Sequence, residues 1–223
     1  MRFFTKRQIS TLSCAMRMKK GEWKWQNKGE KMKKFVLFLC VALNLWALPL
    51  QTLPQTMQTN IDKSRALLKK EANTDKAAQQ IIALFDKIFD YELMAKLSLS
   101  KRYNTLTPAQ KSEFNKAFEE QLKVSFTSKL GLYKDEEIKV TTLDKVKERM
   151  FLNSQMIING EVKNIIFKFY DKKGDWLIYD VDILGVSIIQ TYRSQFADLL
   201  DKADFNTLLD TLKATKFEKI NAR

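Results

Sequence analysis

Three neighbouring residues have the types needed to move a proton at carbon: Asp180 and Asp182, with Tyr179 beside them. A carboxylate base next to a phenol could enolise a ketone, as in isomerases built on a helix-covered curved sheet. The surrounding pattern argues against that use. Leu177, Tyr179, Val181 and Ile183 recur at every second position. A strand with that alternation buries those four and turns both aspartates to solvent. Little other chemistry is on offer. The chain has no histidine, and its two cysteines, Cys14 and Cys40, both precede residue 48. The commonest general base, nucleophile and transition-metal ligands are therefore missing from the rest. Six glycines form no phosphate-cradling loop. Neither a metal nor a cofactor is expected.

A formal charge of +13 would suit nucleic acid or an anionic membrane. Its location removes that suggestion. Of 39 basic and 26 acidic residues, eleven and two fall in residues 1–47, a net of +9; 28 and 24 remain, a net of +4. Met32-Lys33-Lys34 precedes an apolar run of nine residues, Phe35–Leu43, and Leu45-Trp46-Ala47 offers a cleavage site after Ala47. That is the layout of a secretory signal, too short for the ~20 residues of a membrane span. Residues 1–31 read as lying upstream of a true start at Met32. The expected mature chain, residues 48–223, is one domain without a thiol.

The elements that must position any site follow from periodicity. Leu48–Gln58, with Pro49 and Pro54, reads as an extended lead-in, and 61–70 as a modest helix. Asn73 or Thr74 can cap a helix carrying Ile81, Leu84, Phe85, Ile88 and Phe89 on one face. A short helix with Leu93, Met94, Leu97 and Leu99 follows a kink near Asp90. Thr107-Pro108-Ala109-Gln110 is a capping box with proline at the first helical position. It opens a helix to about Leu130, ended by Gly131, along which Phe114, Phe118, Leu122 and Phe126 recur every four residues. Ile138, Val140 and Thr142 then alternate, as do Met150 to Ile158, with a turn at Asn159-Gly160. Ile165, Phe167 and Phe169 alternate up to a hairpin loop over Asp171–Asp175, in which Gly174 supplies a positive φ. The Trp176 strand hands over at Gly185 to a helix that Ser187 and Gln190 cap, with Ile189 and Tyr192 on its apolar face. Asp204 caps a last helix bearing Phe205, Leu208, Leu209 and Leu212, before a polar tail. Helices, hairpin strands and helices again predict an α+β fold: an antiparallel meander of about four strands, covered on one face by helices.

The run W-x-I-Y-D-V-x-I-x-G-V-S-x-I-x-x-Y-R-S-Q-F, Trp176 to Phe196, resembles the MlaC family, also called the toluene-tolerance Ttg2 type. Phe85-Asp86 through Met94 resembles its F-D-x-x-x-M region. Thr107-Pro108-Ala109-Gln110 with Phe114, Phe118 and Leu122 resembles its T-P-x-Q helix. The likeness runs from about Ile81 to Leu212. Ser100, where many members have glycine, and Ala203-Asp204, in place of a glycine-rich link, depart from it and leave local loop shapes open. The resemblance implies a periplasmic phospholipid carrier, not an enzyme. Its cargo would pass between an outer-membrane Mla-type lipoprotein complex and an inner-membrane Mla-type ABC transporter complex. It also implies an apolar cavity between sheet and helices that encloses acyl tails.

With such a cavity, the apolar stripes become its expected lining. From the helices these are Phe85, Phe89, Met94, Phe118, Leu122, Phe126, Ile189 and Tyr192; from the strands, Met156, Phe167, Phe169, Tyr179 and Val181. Phenylalanine and methionine suit a wall that tolerates a flexible chain, because a thioether repacks easily. Lys101 and Arg102, a cationic pair after Leu97 and Leu99, are the expected headgroup contacts at the mouth.

Overall fold

The structure is a computed structural model. It describes residues 48–214, apart from 72–73, 129, 131–134 and 159. All of these belong to one compact unit, Trp46–Arg223. The expected signal segment and start at Met32, the cap Asn73, the helix end at Gly131, the turn residue Asn159 and the tail beyond Ala214 lie outside the described residues.

The described residues form six α-helices: α1 (Leu53–Lys70), α2 (Thr74–Phe85), α3 (Tyr91–Leu99), α4 (Pro108–Thr127), α5 (Ile188–Leu200) and α6 (Phe205–Lys213). A 3-10 turn over Leu50–Thr52 leads straight into α1, so the expected extended lead-in is helical from Leu50 onward. Pro54 sits in the first turn of α1, where its missing N–H costs nothing. Leu53, Met57 and Ile61, four apart, are the face that α1 buries. Local caps set the starts of α3, α4 and α6. Thr107 Oγ1 accepts the Gln110 N–H at 3.3 Å, and Gln110 Oε1 accepts the Thr107 N–H at 2.9 Å. Asp90 Oδ1 accepts from Leu93 N–H at 2.9 Å, and Asp204 Oδ1 from Thr207 N–H at 2.8 Å.

Five strands, not four, form one antiparallel meander in sequence order: β1 (Ile138–Val146), β2 (Arg149–Ile158), β3 (Glu161–Lys172), β4 (Asp175–Ile183) and the two-residue β5 (Val186–Ser187). The β3–β4 loop is tighter than expected. Lys173 and Gly174 alone form it, both at positive φ (61° and 91°), as a two-residue hairpin of matching twist requires. On the inner face Met150 pairs with Phe169, Leu152 with Phe167 and Ser154 with Ile165.

Two bulges break the alternation. In β1 the register shifts between Val140 and Leu143, so Leu143 takes the inner face and Thr142 is exposed. In β4, Asp180 pairs with Lys168 and Ile178 with Phe169, leaving Tyr179 as the extra residue. An extra residue reverses the facing of everything beyond it. Ile178 and Val181 are accordingly the buried apolar residues of β4.

The core has two parts. Helices α3, α4, α5 and α6 pack on Phe114, Phe118, Phe196 and Leu208. Helices α1 and α2 pack on the inner sheet face around Leu152, Phe169 and Ile178. The α2–α3 link joins them through backbone bonds to β4: Ile178 N–H to Ile88 O (2.7 Å) and Asp90 N–H to Ile178 O (2.9 Å).

Candidate functional site: an apolar cavity between sheet and helices

A cavity of about 470 Å³ lies between the inner sheet face and the helices, within the range of roughly 300–1,000 Å³ typical of small-molecule sites. Each wall has a local cause. The strand wall is Met156, Ile165, Phe167 and Val181, inner-face positions of three paired strands. Ile61 and Leu68 come from α1, Ile81 and Phe85 from α2, and Phe89 and Met94 from the link and α3. Leu122 and Phe126 come from α4, and Ile188 and Tyr192 from α5. Phe126, Leu184 and Val186 line the cavity yet are 48%, 54% and 59% exposed, so they form an apolar rim at its opening.

The expected lining residues divide. Phe85, Phe89, Met94, Leu122, Phe126, Met156, Phe167, Val181 and Tyr192 line the cavity. Phe118, Phe169, Ile189 and Tyr179 do not. Phe118 is wholly buried among the helices, its ring 5.1 Å from that of Tyr192 and 6.2 Å from that of Phe196. The reason is helical pitch. Each step of four residues turns ~40° at 3.6 residues per turn, so Phe118 faces the helix cluster while Leu122 and Phe126 have rotated onto the cavity. Phe169 is wholly buried between Met150 and Ile178. Ile189 belongs to the helix cluster, one residue round from the lining Ile188. Tyr179 is carried away by its bulge; its ring meets that of Tyr170 and lies 4.2 Å from the Arg149 guanidinium carbon.

Lys101 and Arg102 border a smaller pocket of about 280 Å³ beside α5, not the large cavity. Arg102 is occupied at the C-terminus of α5. It donates to Leu200 O at 3.0 Å and to Asp201 Oδ1 at 2.7 Å. A cation there answers the negative end of the helix dipole, and the mouth assignment for this pair is corrected accordingly.

Nor do the two aspartates point to solvent. Asp180 is buried; it pairs with Lys168 at 2.9 Å, accepts the Ser187 hydroxyl at 2.8 Å and accepts the Ile189 N–H at 3.1 Å. Asp182 is half-buried, 3.8 Å from the same Lys168. Neither aspartate, nor Tyr179, lines the cavity. Proton abstraction from a molecule held there has no base among them.

The polar groups that do reach the cavity were not legible as a set, since they come from five separated segments, Tyr91 on α3 among them. Arg65 and Asp62 are on α1, Lys123 and Ser125 on α4, Glu136 precedes β1, and Thr191 and Gln195 are on α5. Lys123 is held by Asp86 and Glu119, each at 2.7 Å. Burial works against its charge, but the hydrogen bonds to those carboxylates outweigh it and hold its pKa above the ordinary lysine value. Burial and the neighbouring Asp86 push the Tyr91 phenol far above its usual range, so it stays a neutral donor to Asp86 at 3.0 Å. Ser125 Oγ lies 3.4 Å from the Tyr192 hydroxyl and accepts from Gln121 Nε2 at 3.1 Å. Among the described residues no group of three or more His, Cys, Asp or Glu side chains could hold a metal ion. No helix there is long and apolar enough to cross a membrane.

The family model described as MlaC protein matches residues 55–214. The intermembrane phospholipid transport system binding protein MlaC of Haemophilus influenzae is 23% identical over 128 residues, covering 55% of this chain. The chain spans 60% of the length of that curated relative. Among solved structures, the phospholipid-binding protein from Ralstonia solanacearum in complex with a phospholipid superposes with a TM-score of 0.64 at 19% identity. That match covers 73% of this chain and 95% of the other, and at such identity it speaks for the fold.

Proposed function

The chain belongs to the MlaC family, and from that premise we propose that it is a periplasmic phospholipid carrier and not an enzyme. The observation that carries the reading is the cavity itself. Its wall is made of aliphatic and aromatic side chains from the sheet and from five helices, and its opening is rimmed by exposed apolar residues. The named functions of the Haemophilus influenzae and Ralstonia solanacearum proteins, phospholipid transport and phospholipid binding, support the same cargo. Enclosure is what a carrier needs. At ~0.8 kcal/mol per CH₂, a tail of ~16 carbons left in water costs on the order of 12 kcal/mol.

The reading extends to location and partners. Translation starts at Met32, residues 32–47 act as the secretory signal, and residues 48–223 form the exported domain. The cargo passes between an outer-membrane Mla-type lipoprotein complex and an inner-membrane Mla-type ABC transporter complex. N-terminal sequencing of the unprocessed precursor tests the leader; a chain beginning at Met1 overturns the start at Met32.

Native mass spectrometry of the purified protein, followed by lipid extraction, tests the cargo. Stoichiometric phospholipid is expected. A lipid-free protein that turns over a ketone would overturn the carrier and restore the enzyme reading.

A further inference from the structure

Four arginines lie among the described residues, and three have partners. Arg102 holds the end of α5. Arg193 donates from Nε (3.1 Å) and Nη2 (2.9 Å) to Leu97 O. Arg149 stacks on Tyr179. The fourth, Arg65, lines the cavity from α1. Its Nε is buried and makes no hydrogen bond among the described residues. A buried N–H without an acceptor costs about 1–3 kcal/mol, and more where the group is charged, so such donors are rare in folded proteins.

The position of Arg65 gives that donor a direction. Ile61 lies four residues before it and Leu68 three after, and both line the same cavity. The three therefore share one helical face, and the guanidinium belongs to the cavity wall. The other lining cation, Lys123, is neutralised by two carboxylates. The acids that share the lining, Asp62 and Glu136, form no ion pair with Arg65; Asp62 accepts a hydrogen bond from Gln58 at 2.9 Å.

We propose that Arg65 binds the phosphodiester of the cargo at the edge of the tail cavity. A guanidinium presents a planar fork of donors that matches two phosphate oxygens, and it is less strongly hydrated than an ammonium, which suits a partly dry site. The inference rests on the carrier reading and adds the chemical group that the protein holds besides the tails. The arginine fixes the lipid's register: phosphate at α1, tails between α4 and the sheet.

Two lipids with identical acyl chains separate the possibilities: dioleoyl phosphatidylglycerol, and dioleoylglycerol, which lacks the phosphate. The full chain is expressed, purified, stripped of lipid and offered both, and the bound species are weighed by native mass spectrometry. The wild type is expected to favour the phospholipid. Arg65→Gln is expected to lower its retention relative to dioleoylglycerol by roughly 10- to 100-fold, the loss of one charge-assisted contact. Arg65→Lys, which keeps the charge without the fork, is expected to fall between, and provides the measurement if the glutamine variant folds poorly. An unchanged ratio in both variants overturns the proposal while leaving the carrier intact. Uptake of neither lipid by the wild type overturns the carrier reading and this inference with it. Inorganic phosphate that competes with the phospholipid but not with dioleoylglycerol supports the phosphate site. Inorganic phosphate that binds the lipid-free protein through Arg65 and leaves phospholipid loading unchanged assigns the site to free anions and overturns the lipid contact.

Discussion

Asp180 accepts the backbone N–H of Ile189 at 3.1 Å, so a carboxylate on the fourth strand caps the helix that closes the cavity. The same carboxylate takes the Ser187 hydroxyl, while Ser187 Oγ accepts the Gln190 N–H at 3.1 Å. The helix start is thus bolted to the sheet, and Lys168 balances the charge.

Asp180→Ala should be costly for that reason. It removes the cap's support and leaves Lys168, 17% exposed, without its closest acid. Breaking a buried pair from one side costs about 3 kcal/mol or more. Urea denaturation should show a loss of that size. A midpoint equal to wild type would mean that Asp182, 3.8 Å away, takes over the charge.

Val181 lines the cavity and is 5% exposed. A carboxylate placed there must be desolvated beside the cargo, at a cost of several kcal/mol. Val181→Glu is expected to fold, by circular dichroism, and to purify without phospholipid. A full complement of bound lipid in the folded variant would show that this part of the sheet does not face the tails.

Stability should fall in acid through Asp90. Burial alone would raise its pKa, but hydrogen bonds from Lys172, Tyr170 and the Leu93 N–H bring it below the ordinary 3.8. The unfolded chain therefore binds the proton more readily than the folded one. The stabilisation is complete from about pH 5 upward and is lost as pH drops through 3.8 and then through the folded value. Asp90→Asn should be less stable than wild type at neutral pH, by about 1–2 kcal/mol for the weakened cap and pair. The gap between the two urea midpoints should close at low pH. A constant gap across that range would place the acid sensitivity in another group.

Lipid transfer should need protein partners. Bilayer and cavity are both apolar, so the equilibrium is close to balanced and the barrier is the exposed-tail intermediate, on the order of 20 kcal/mol for two tails at ~0.8 kcal/mol per CH₂. No described helix can enter a membrane as a span. Fluorescent phospholipid is expected to exchange slowly with bare vesicles, and much faster with vesicles carrying Mla-type complexes. Rapid exchange with bare vesicles, unchanged by those complexes, would mean that the protein opens and inserts by itself.

What the sequence determined by itself was local. Thr107 with Gln110, Ser187 with Gln190 and Asp204 with Thr207 mark helix starts because donor and acceptor lie three residues apart. Alternation along β2 and β3 revealed their inner faces, and the order of elements revealed the α+β class. The start of α1 was hidden because Pro49 and Pro54 signal an extended chain equally well; only packing of Leu53 and Met57 against the rest decides for helix. Tertiary structure alone decided the remainder. The bulge at Tyr179 depends on how β4 registers against β3, and it put Ile178 in place of Leu177 on the inner face. Asp180 keeps the outer face opposite Lys168, where Ser187 and the start of α5 cover it instead of water. Phe118 and Leu122 are buried apolar residues one turn apart on the same helix, yet only Leu122 also lines the cavity. Arg65 has no motif around it; it becomes notable only because folding buries its Nε beside the cavity without an acceptor. A cavity is the space where packed side chains fail to meet. That space is set by the distance between helices and sheet, a quantity that no spacing along a single element encodes.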